Sequence, residues 1–245
     1  MAENSNPYKK YKKDDDHSYT LGPFPTFEML DGAPERALEV FIDEKFNDRE
    51  KLENRCRSLN IPFSYNKKVL DRISSKEICY AAGVFRKYSC DLDDSKPHVV
   101  LNNPSDMGNM GTILRTLLGF GIKNLAVITP AADIFNPKVI RASMGAMFKM
   151  NFSLFSSFEE YMEKYGENRD IFPFMLDGKK VLSIEDCPKS SKYALVFGNE
   201  AKGLPPEFSR YGTAIFIPQS EDVDSLNLAI SVAVGSFVFT SVNGR

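Results

Sequence analysis

From about residue 97 to residue 245, short apolar runs alternate with segments of helical periodicity. The runs span residues 99–101, 125–128, 172–175, 194–197 and 214–217. Continuous apolar runs of this length are typical of strands buried on both faces of a parallel sheet. Helix signals fill the gaps: helical spacing over 110–118, Asn136-Pro137 as a helix start, and Ser157 with Glu160 at capping-box spacing. The sequence therefore predicts an α/β domain with a parallel sheet.

A glycine loop lies late in this domain, at residues 198–203 (GNEAKG). A dinucleotide-binding fold carries its glycine fingerprint in the first strand-to-helix turn, where this chain has neither that fingerprint nor a Walker A sequence. Glycines on both sides of a carboxylate let a backbone approach a ligand closely, although a plain strand-ending turn uses the same residues. A second polar segment, 217–227, follows the next apolar run. Two such loops at strand ends predict a ligand site.

The helix that follows Asn227 is apolar almost all round. Asp224 or Ser225 is expected to cap it. A helix that is apolar on every face must be buried on more than one side. Burial within the chain and a dimer interface both fit that pattern.

Residues 102–115 (NNPSDMGNMGTILR) lead from a strand end through a polar loop into an amphipathic helix. Arg115 lies well off the apolar face of this helix. It is therefore either a solvated surface residue or a side chain that binds a phosphate or a developing oxyanion with the help of Asn109. Spacing alone leaves both interpretations open.

The composition is that of an ordinary globular chain, with 42% hydrophobic residues among 245 and a formal net charge of −2. No apolar run could span a bilayer and the polar start lacks a secretory signal, so we expect a cytoplasmic protein with no membrane partner. The cysteines lack metal-ligand spacing, which predicts reduced thiols and no metal site. An acidic chain needs a local basic patch to bind RNA. The candidates for that patch are Lys67, Lys68, Arg86, Lys87, Arg141 and Lys149.

The part before residue 97 divides into a tail and a small domain. Residues 1–18 are polar and mix lysines with aspartates, so we predict a disordered tail, whose lysines and tyrosines could also touch RNA phosphates. Residues 19–92 show an α/β pattern, and the polar segment 91–96 before Pro97 has the composition of a domain linker. The predicted elements are strands at 38–42, 61–65 and 82–85, and helices at 48–59, with Asp48 as N-cap, and at 68–73.

Three segments of the second domain resemble, in order, the three motifs of the SpoU (TrmH-type) RNA ribose methyltransferases of the SPOUT superfamily. These segments are 109–115, 198–203, and 217–218 together with 225–227; the stretch 136–146 is also similar. Residues 19–92 resemble the small ribosomal-protein-like domain that often precedes this domain. The resemblance implies an α/β fold with a parallel sheet and a C-terminal trefoil knot at 97–245. It also implies that the preceding small α/β domain binds the RNA substrate.

The resemblance further implies a cofactor, partners and a set of site residues. S-adenosyl-L-methionine would lie among the loops of the knot, two copies of the chain would pair through the knot helices, and the substrate would be RNA, with ribosomal RNA favoured over transfer RNA. The residues that match cofactor contacts are Thr129, Gly198, Ile217 and Leu226. The residues that match active-site positions are Asn109, Arg115, Glu200, Ser225 and Asn227.

These residue types suit the methylation of a ribose 2′-hydroxyl. Because this hydroxyl is a poor nucleophile that must lose its proton as it attacks, positioning is a large part of the task. By resemblance, Arg115 promotes the deprotonation; alternatively it stays charged, binds a phosphate and stabilises the forming alkoxide. The resemblance implies that Glu200 holds the loop or the ribose rather than acting as the base. Asn109, Ser225 and Asn227 would orient Arg115 and the ribose.

Two other functions compete with this one. A non-catalytic RNA-binding module could keep the same fold, but a lost activity would relax Arg115, Glu200 and Asn227. A Rossmann-type dehydrogenase would need the glycine fingerprint that the chain lacks.

Overall fold

A computed structural model describes residues 8–75 and 78–244. Within these residues the chain forms two compact units. The first comprises the described part of Met1–Tyr88 together with Asp133–Lys149, and the second comprises Ser89–Ala132 with the described part of Met150–Arg245. The second unit thus begins near the predicted linker, but Asp133–Lys149 groups with the first unit although it lies inside the predicted second domain.

The first unit is an α/β layer with its sheet in the order β1-β4-β2-β3. Its strands are β1 (His17–Leu21), β2 (Ala37–Ile42), β3 (Phe63–Tyr65) and β4 (Ala81–Arg86). Its helices are α1 (Pro23–Gly32), α2 (Arg49–Ser58), α3 (Lys67–Ile73) and α5 (Pro137–Ala142). The strand β4 pairs antiparallel with β1 and β2, and β3 extends the sheet parallel to β2. The elements predicted from 38 to 85 are all present within a few residues.

Hydrogen bonds explain why Asp133–Lys149 belongs to the first unit. Helix α5 packs against β1, and the buried Ser18 hydroxyl donates to the carbonyl of Phe135. The Tyr11 hydroxyl donates to the carboxylate of Asp133. Asn136 caps α5, since its side chain accepts from Lys138 N at 3.0 Å. The predicted helix start at Asn136-Pro137 is therefore confirmed, although its helix completes the other unit.

The predicted disordered tail is wrong from Tyr8 onward; residues 1–7 lie outside the described residues. Tyr8 packs edge-to-face on Phe41, with ring centroids 5.7 Å apart, and β1 begins at His17. The charge run at 9–16 concealed this strand, because β1 itself is polar in sequence. Its buried hydroxyls are satisfied internally: Thr20 bonds to the Thr26 hydroxyl at 2.8 Å. The tyrosines of this segment are thus committed to the first unit.

The second unit is built on a parallel sheet in the order β7-β6-β5-β10-β8. Its strands are β5 (His98–Asn102), β6 (Asn124–Ile128), β7 (Asn151–Phe155), β8 (Asp170–Pro173), β9 (Lys180–Val181), β10 (Tyr193–Phe197) and β11 (Ile215–Phe216). Its helices are α4 (Met107–Phe120), α6 (Phe158–Tyr165) and α7 (Leu228–Asn243). Every residue of β5, β6 and β10 is buried, as the continuous apolar runs predicted.

The strand order reverses beside β5. The chain moves outward from β5 to β6 and β7, and then crosses over to build β8 and β10 on the other side of β5. In open α/β sheets, ligands bind outside the carboxyl ends of the strands at such a switch point. Here the carboxyl ends of β5 and β10 carry the loops 103–106 and 198–203, so the topology brings two of the predicted motifs together.

Two strand predictions needed correction. The edge strand β7 was missed, because the polar Ser153 interrupts its apolar residues. The run at 214–217 does not join the main sheet: β11 pairs with the short β9 instead. Met175 N donates to Ile215 O at 2.9 Å, so β11 lies beside the segment that follows β8. Its residues line the cavity at the carboxyl ends of the strands.

The cap of the last helix also differs from the prediction. Neither Asp224 nor Ser225 caps α7; the cap is Asn227, whose Oδ1 accepts from Ala229 N at 2.8 Å and from Ile230 N at 3.3 Å. The cap must directly precede the first helical residue, and Asp224 and Ser225 lie too far upstream. These two residues are left in the loop before the helix.

Helix α7 packs on α4 and β10 through its small and apolar residues. At Gly235 the helix lies directly on Phe174, which stacks on Phe197 at a centroid distance of 4.3 Å. The opposite side of α7 leaves Ile230 and Phe237 about half exposed. Among the described residues, no helix combines the length and the hydropathy needed to cross a bilayer.

Replacing Gly235 by Val should lower the free energy of unfolding by about 1–3 kcal/mol, because overpacking a filled site forces the stacked rings apart. A Cβ at this position would lie 2.6 Å from Cζ of Phe174. The matched control is Gly119→Ala in α4, where a Cβ meets nothing within 4 Å. That variant should be as stable as the wild type or up to about 1 kcal/mol more stable. Urea denaturation measures both, and equal stability of Gly235→Val and wild type would contradict the packing described.

Candidate active site

The carboxylate of Glu200 ties the loop after β10 to the loop after β5. Its Oε2 accepts hydrogen bonds from the backbone N–H of Ser105 at 2.9 Å and from the Ser105 hydroxyl at 2.8 Å. Its Oε1 accepts from the backbone N–H of Asp106 at 3.0 Å and from Nδ2 of Asn109 at 3.2 Å. Both oxygens therefore have at least two donors, and the two loops are held in one arrangement.

These donors decide the protonation state of Glu200. Partial burial by itself raises the pKa of the carboxyl group, but the hydrogen bonds from Ser105, Asp106 and Asn109 outweigh it and lower the pKa to about 2. A carboxylate with so low a pKa is a poor base near neutral pH. The geometry assigns Glu200 a holding role, in line with the expectation from the sequence.

A second link joins this network to the start of α7. Asn227 donates from Nδ2 to Oδ1 of Asn109 at 3.0 Å, while its own Oδ1 caps α7. The backbone N–H of Asn109 donates to Oδ1 of Asp106 at 2.7 Å, which caps α4. Asn109 thus stands between Glu200 and Asn227, and three predicted site residues form one continuous hydrogen-bonded chain.

A cavity of about 390 Å³ adjoins this network. Most residues of the segments 174–177, 197–204, 215–219 and 224–228 line this cavity, together with Ser231. Five of the predicted residues line it: Gly198, Glu200, Ile217, Ser225 and Leu226. Glu200 also belongs to the hydrogen-bonded chain, so the cavity and the hydrogen-bonded chain share a border. The walls combine apolar side chains with the carboxylates of Asp177, Glu200 and Asp224.

The structure does not bring Thr129 and Arg115 to this cavity. The Thr129 hydroxyl donates to the Phe155 carbonyl on the neighbouring strand at 3.0 Å. Arg115 is exposed and has no hydrogen bond or ion pair within the described residues. Arg115 lies six positions after Asn109 on α4, so its side chain points about 120° away from that of Asn109. In the described structure Arg115 is therefore not part of the Glu200 network of its own chain.

Sequence analysis missed the residues that shape the loop around Glu200. Asn199 donates from Nδ2 to the Asn103 carbonyl at 2.8 Å, and its Oδ1 accepts from the backbone N–H groups of Ala201 and Lys202. Ser105 and Asp106 present their N–H groups to Glu200. An Asp just before a predicted helix is a recognisable N-cap signal, whereas nothing local marks the partners of Asn199.

Three residues of the predicted basic patch contact neighbouring groups, two of them in ion pairs. Lys67 pairs with Asp43 at 3.2 Å, and Lys149 pairs with Glu28 at 2.5 Å. Lys87 lies over the Tyr11 ring and donates to the carbonyl of Lys13. Within the described residues, no group of three or more His, Cys, Asp or Glu side chains could hold a metal ion, and the cysteines are free thiols.

Known proteins resemble this chain over the part that carries these loops. The model of the SpoU rRNA Methylase family matches residues 96–237. The chain is 30% identical over 138 residues to an uncharacterized tRNA/rRNA methyltransferase of Synechocystis sp.; the match covers 56% of this chain and 50% of that protein. It is 24% identical over 145 residues to the 23S rRNA (guanosine(2553)-2′-O)-methyltransferase of Bacillus subtilis, covering 58% of this chain and 57% of that protein. The matches thus span about half the length of these curated relatives.

A solved structure shares the fold over nearly the whole chain. It is the rRNA methyltransferase from Sinorhizobium meliloti with bound AdoMet, with a TM-score of 0.77 at 23% identity. The superposition covers 92% of this chain and 87% of that one. The likeness therefore extends over both compact units.

Replacing Glu200 by Gln should lower the free energy of unfolding by about 1 kcal/mol at pH 7, because an amide NH₂ cannot accept from the donors that face it; partial exposure keeps the cost small. The pKa of Glu200 is lowered on folding, to about 2. Its contribution is therefore full above the unfolded value of about 4.3 and is lost as pH falls toward the folded value. In urea denaturation the difference between the wild type and Glu200→Gln should shrink as the pH falls from 5 towards 2. The exposed Glu207→Gln is the control and should match the wild type throughout; a difference between wild type and Glu200→Gln that does not shrink between pH 5 and pH 2 would contradict the assignment.

Proposed function

The chain belongs to the SpoU rRNA methylase family, and we propose that it transfers a methyl group from S-adenosyl-L-methionine to a ribose 2′-hydroxyl of RNA. The observation that carries this proposal is the hydrogen-bonded chain Glu200–Asn109–Asn227 at the border of the cavity formed by the predicted motifs. The Bacillus relative is a 2′-O-methyltransferase and the Sinorhizobium structure contains AdoMet, which supports both the reaction and the cofactor.

The cavity beside the Glu200 network, called the first cavity below, fits S-adenosyl-L-methionine because of the chemistry of its walls. Apolar side chains such as Phe174, Ile215 and Leu228 suit the adenine, and the carboxylates of Asp177 and Asp224 suit the cationic end. Bound there, the cofactor would supply a methyl group on a positively charged sulfur. We propose that backbone groups of Gly198, Ile217 and Leu226 hold it. Thr129 is not part of this proposal, since its hydroxyl bonds to Phe155 and it does not line the cavity.

The chain's own residues position the reaction more than they carry protons. The ribose oxygen forms a bond to the methyl carbon, the carbon–sulfur bond breaks with its electron pair left on sulfur, and the hydroxyl proton leaves to solvent or to a substrate phosphate. Asn109 and Asn227 are held rigidly by Glu200 and by the α7 cap, so they can orient the ribose without reorganising. Ser225, exposed in the loop before Asn227, is proposed to contact the ribose from the other side.

We propose that the segment around the cavity is threaded into a trefoil knot. After β10 the chain returns to the outer edge of β8, where Thr213 N donates to Ile171 O at 3.0 Å, and only then forms α7 against α4. This path supports the threading that the resemblance implies. Ribosomal RNA is proposed as the substrate and the first unit as its docking domain, supported by the family description and by the solved rRNA methyltransferase that spans both units.

A homodimer that pairs through α7 would explain two features. These are the exposed apolar residues of this helix and the position of Arg115 outside the Glu200 network of its own chain. Ile230 and Phe237 leave 53% and 49% of their surface exposed on this helix, and Phe120 of α4 lies beside Phe237 with centroids 6.1 Å apart. We propose that this apolar face pairs with its copy in a second chain. Arg115 lies on α4, the helix that also carries Phe120, and we propose that its guanidinium acts at the site of the partner, where it binds a phosphate and stabilises the forming alkoxide.

Transfer of labelled methyl groups into RNA tests the reaction. Unmodified transcripts of ribosomal RNA and of transfer RNA are incubated separately with the protein and labelled S-adenosyl-L-methionine, and the methylated ribose is mapped. We expect incorporation into ribosomal RNA, and a loss of at least about 100-fold in Arg115→Ala, since a charge that stabilises the transition state is removed. Cofactor binding without any incorporation of methyl groups would contradict the enzymatic function and favour a non-catalytic RNA-binding module. Full activity of Arg115→Ala would refute the role given to Arg115.

Sedimentation and complementation test the dimer. Phe237→Asp should turn the dimer into a monomer, because it buries an unpaired charge in the seam. The control is Leu154→Asp on the edge strand β7, whose exposure of 49% equals that of Phe237 and which should remain dimeric. If Arg115 acts on the partner, mixing inactive Arg115→Ala with inactive Asn227→Ala after subunit exchange should restore activity, since the mixed dimer contains one intact site. No restoration despite exchange would place both residues in one chain's site.

A further inference from the structure

A second cavity, of about 560 Å³, opens at the carboxyl edge of the same sheet. Its walls come from the strand end at Asn102, the loops 103–105 and 130–132, and the glycine loop with Pro205. Asn199, Lys202 and Gly203 line this cavity and the first one, so the glycine loop is a wall shared by both. None of the predicted site residues lines it.

Asn102 is an unpaired polar group in this cavity. The residue is 8% exposed, and its side-chain amide has no hydrogen-bond partner within the described residues. Among the described residues its amide atoms are not fully buried atoms that lack a partner, so they are accessible and can bond to a molecule in the cavity. An amide that is unpaired in the folded chain and lines a cavity is well explained as a contact for a ligand that offers both a donor and an acceptor.

The charges of the two cavities differ in sign. The first carries the carboxylates of Asp177, Glu200 and Asp224 beside Lys202, which suits a cationic cofactor. The described lining of the second contains no carboxylate, and Lys202 is its charged residue. The backbone N–H of Lys202 is fixed by Oδ1 of Asn199 at 3.2 Å, so the base of this side chain has a defined place. A cavity with a cation and one side-chain amide that has no internal partner suits a polyanion that carries hydrogen-bonding bases.

We propose that the second cavity binds the nucleotide that carries the reacting ribose, with Asn102 hydrogen-bonded to an edge of its base and the Lys202 ammonium against an adjoining backbone phosphate. This inference rests on the proposed function. A base taken out of its stack presents paired donors and acceptors, which a side-chain amide can match. Asn102 is then a specificity residue, whereas Lys202 supplies affinity that does not depend on the base.

The arrangement meets the geometric demand of methyl transfer. The donor and the acceptor must approach within about 3–3.5 Å, so their sites must adjoin. Here Ser105 lines the second cavity and donates to Glu200, which lines the first. The hydrogen-bonded chain that runs from Glu200 to Asn227 therefore begins where the two cavities meet.

RNA affinity and protein stability together test the inference. The variants are Asn102→Leu, which keeps the size of the side chain, Lys202→Gln, and the control Lys123→Gln at the opposite edge of the sheet, just before β6. Filter retention of the ribosomal RNA transcripts measures affinity over a range of salt concentrations. Asn102→Leu should bind RNA about 5- to 10-fold more weakly without any loss of unfolding free energy, because no internal hydrogen bond is broken. Lys202→Gln should weaken binding at low salt and reduce the slope of log affinity against log salt by about 0.7–0.9.

The remaining measurements separate this inference from the alternatives. Calorimetry should give S-adenosyl-L-methionine affinities within about 2-fold of wild type for Asn102→Leu and Lys123→Gln, whose positions do not line the first cavity, and Lys123→Gln should leave RNA binding unchanged. Equal RNA affinity and equal salt slope for Lys202→Gln and Lys123→Gln would overturn the inference. So would an Asn102→Leu variant that is less stable but binds RNA normally, or a loss confined to cofactor affinity. If the wild type binds RNA but transfers no methyl group, the proposed function is wrong, whereas the RNA affinities of the variants can still be compared with that of the wild type.

Discussion

The carboxylate of Glu200 is the interaction on which the site depends. It accepts two backbone N–H groups from the start of α4, a hydroxyl and an amide, and so joins the loops that follow β5 and β10. The same bonds keep the group ionised, since protonation would remove acceptor capacity that four donors use. Asn109 and Asn227 take their orientation from it, and the walls of both cavities take their shape from the loop that carries it.

The sheet and the motifs could be predicted because their signals are local. Strands such as β5, β6 and β10 are buried on both faces, so each leaves an uninterrupted apolar run, and turn-rich loops follow two of them. The edge strand β7 and the polar strand β1 leave no such run. Their burial depends on neighbours that are distant in sequence, such as Phe135, which accepts from Ser18. Arg115 was correctly placed off the apolar face of its helix, but its direction relative to Asn109 needed the helix itself.

Other features of the site have no local signal at all. Glu200 and Ser105 meet because the crossover places β10 beside β5, and a sequence pattern does not state which strands become neighbours. Asn102 ends an apolar strand and reads as a polar boundary residue; only the cavity beside it and the lack of a partner set it apart. The reason in each case is that long-range pairing, rather than periodicity, creates the feature.

The placement of Asp133–Lys149 has a consequence for how the chain is made. The first unit needs α5 to complete the packing on β1, but β5, α4 and β6 lie between them in the chain. During synthesis the first unit therefore stays incomplete until residue 149 has left the ribosome, by which time two of the five strands of the second sheet, β5 and β6, have also emerged. Domains usually fold one after the other from the N-terminus, whereas here the two must mature together. Before α5 has been made, the sheet of the first unit leaves β1 and part of one face uncovered. At this stage the chain would benefit most from a chaperone.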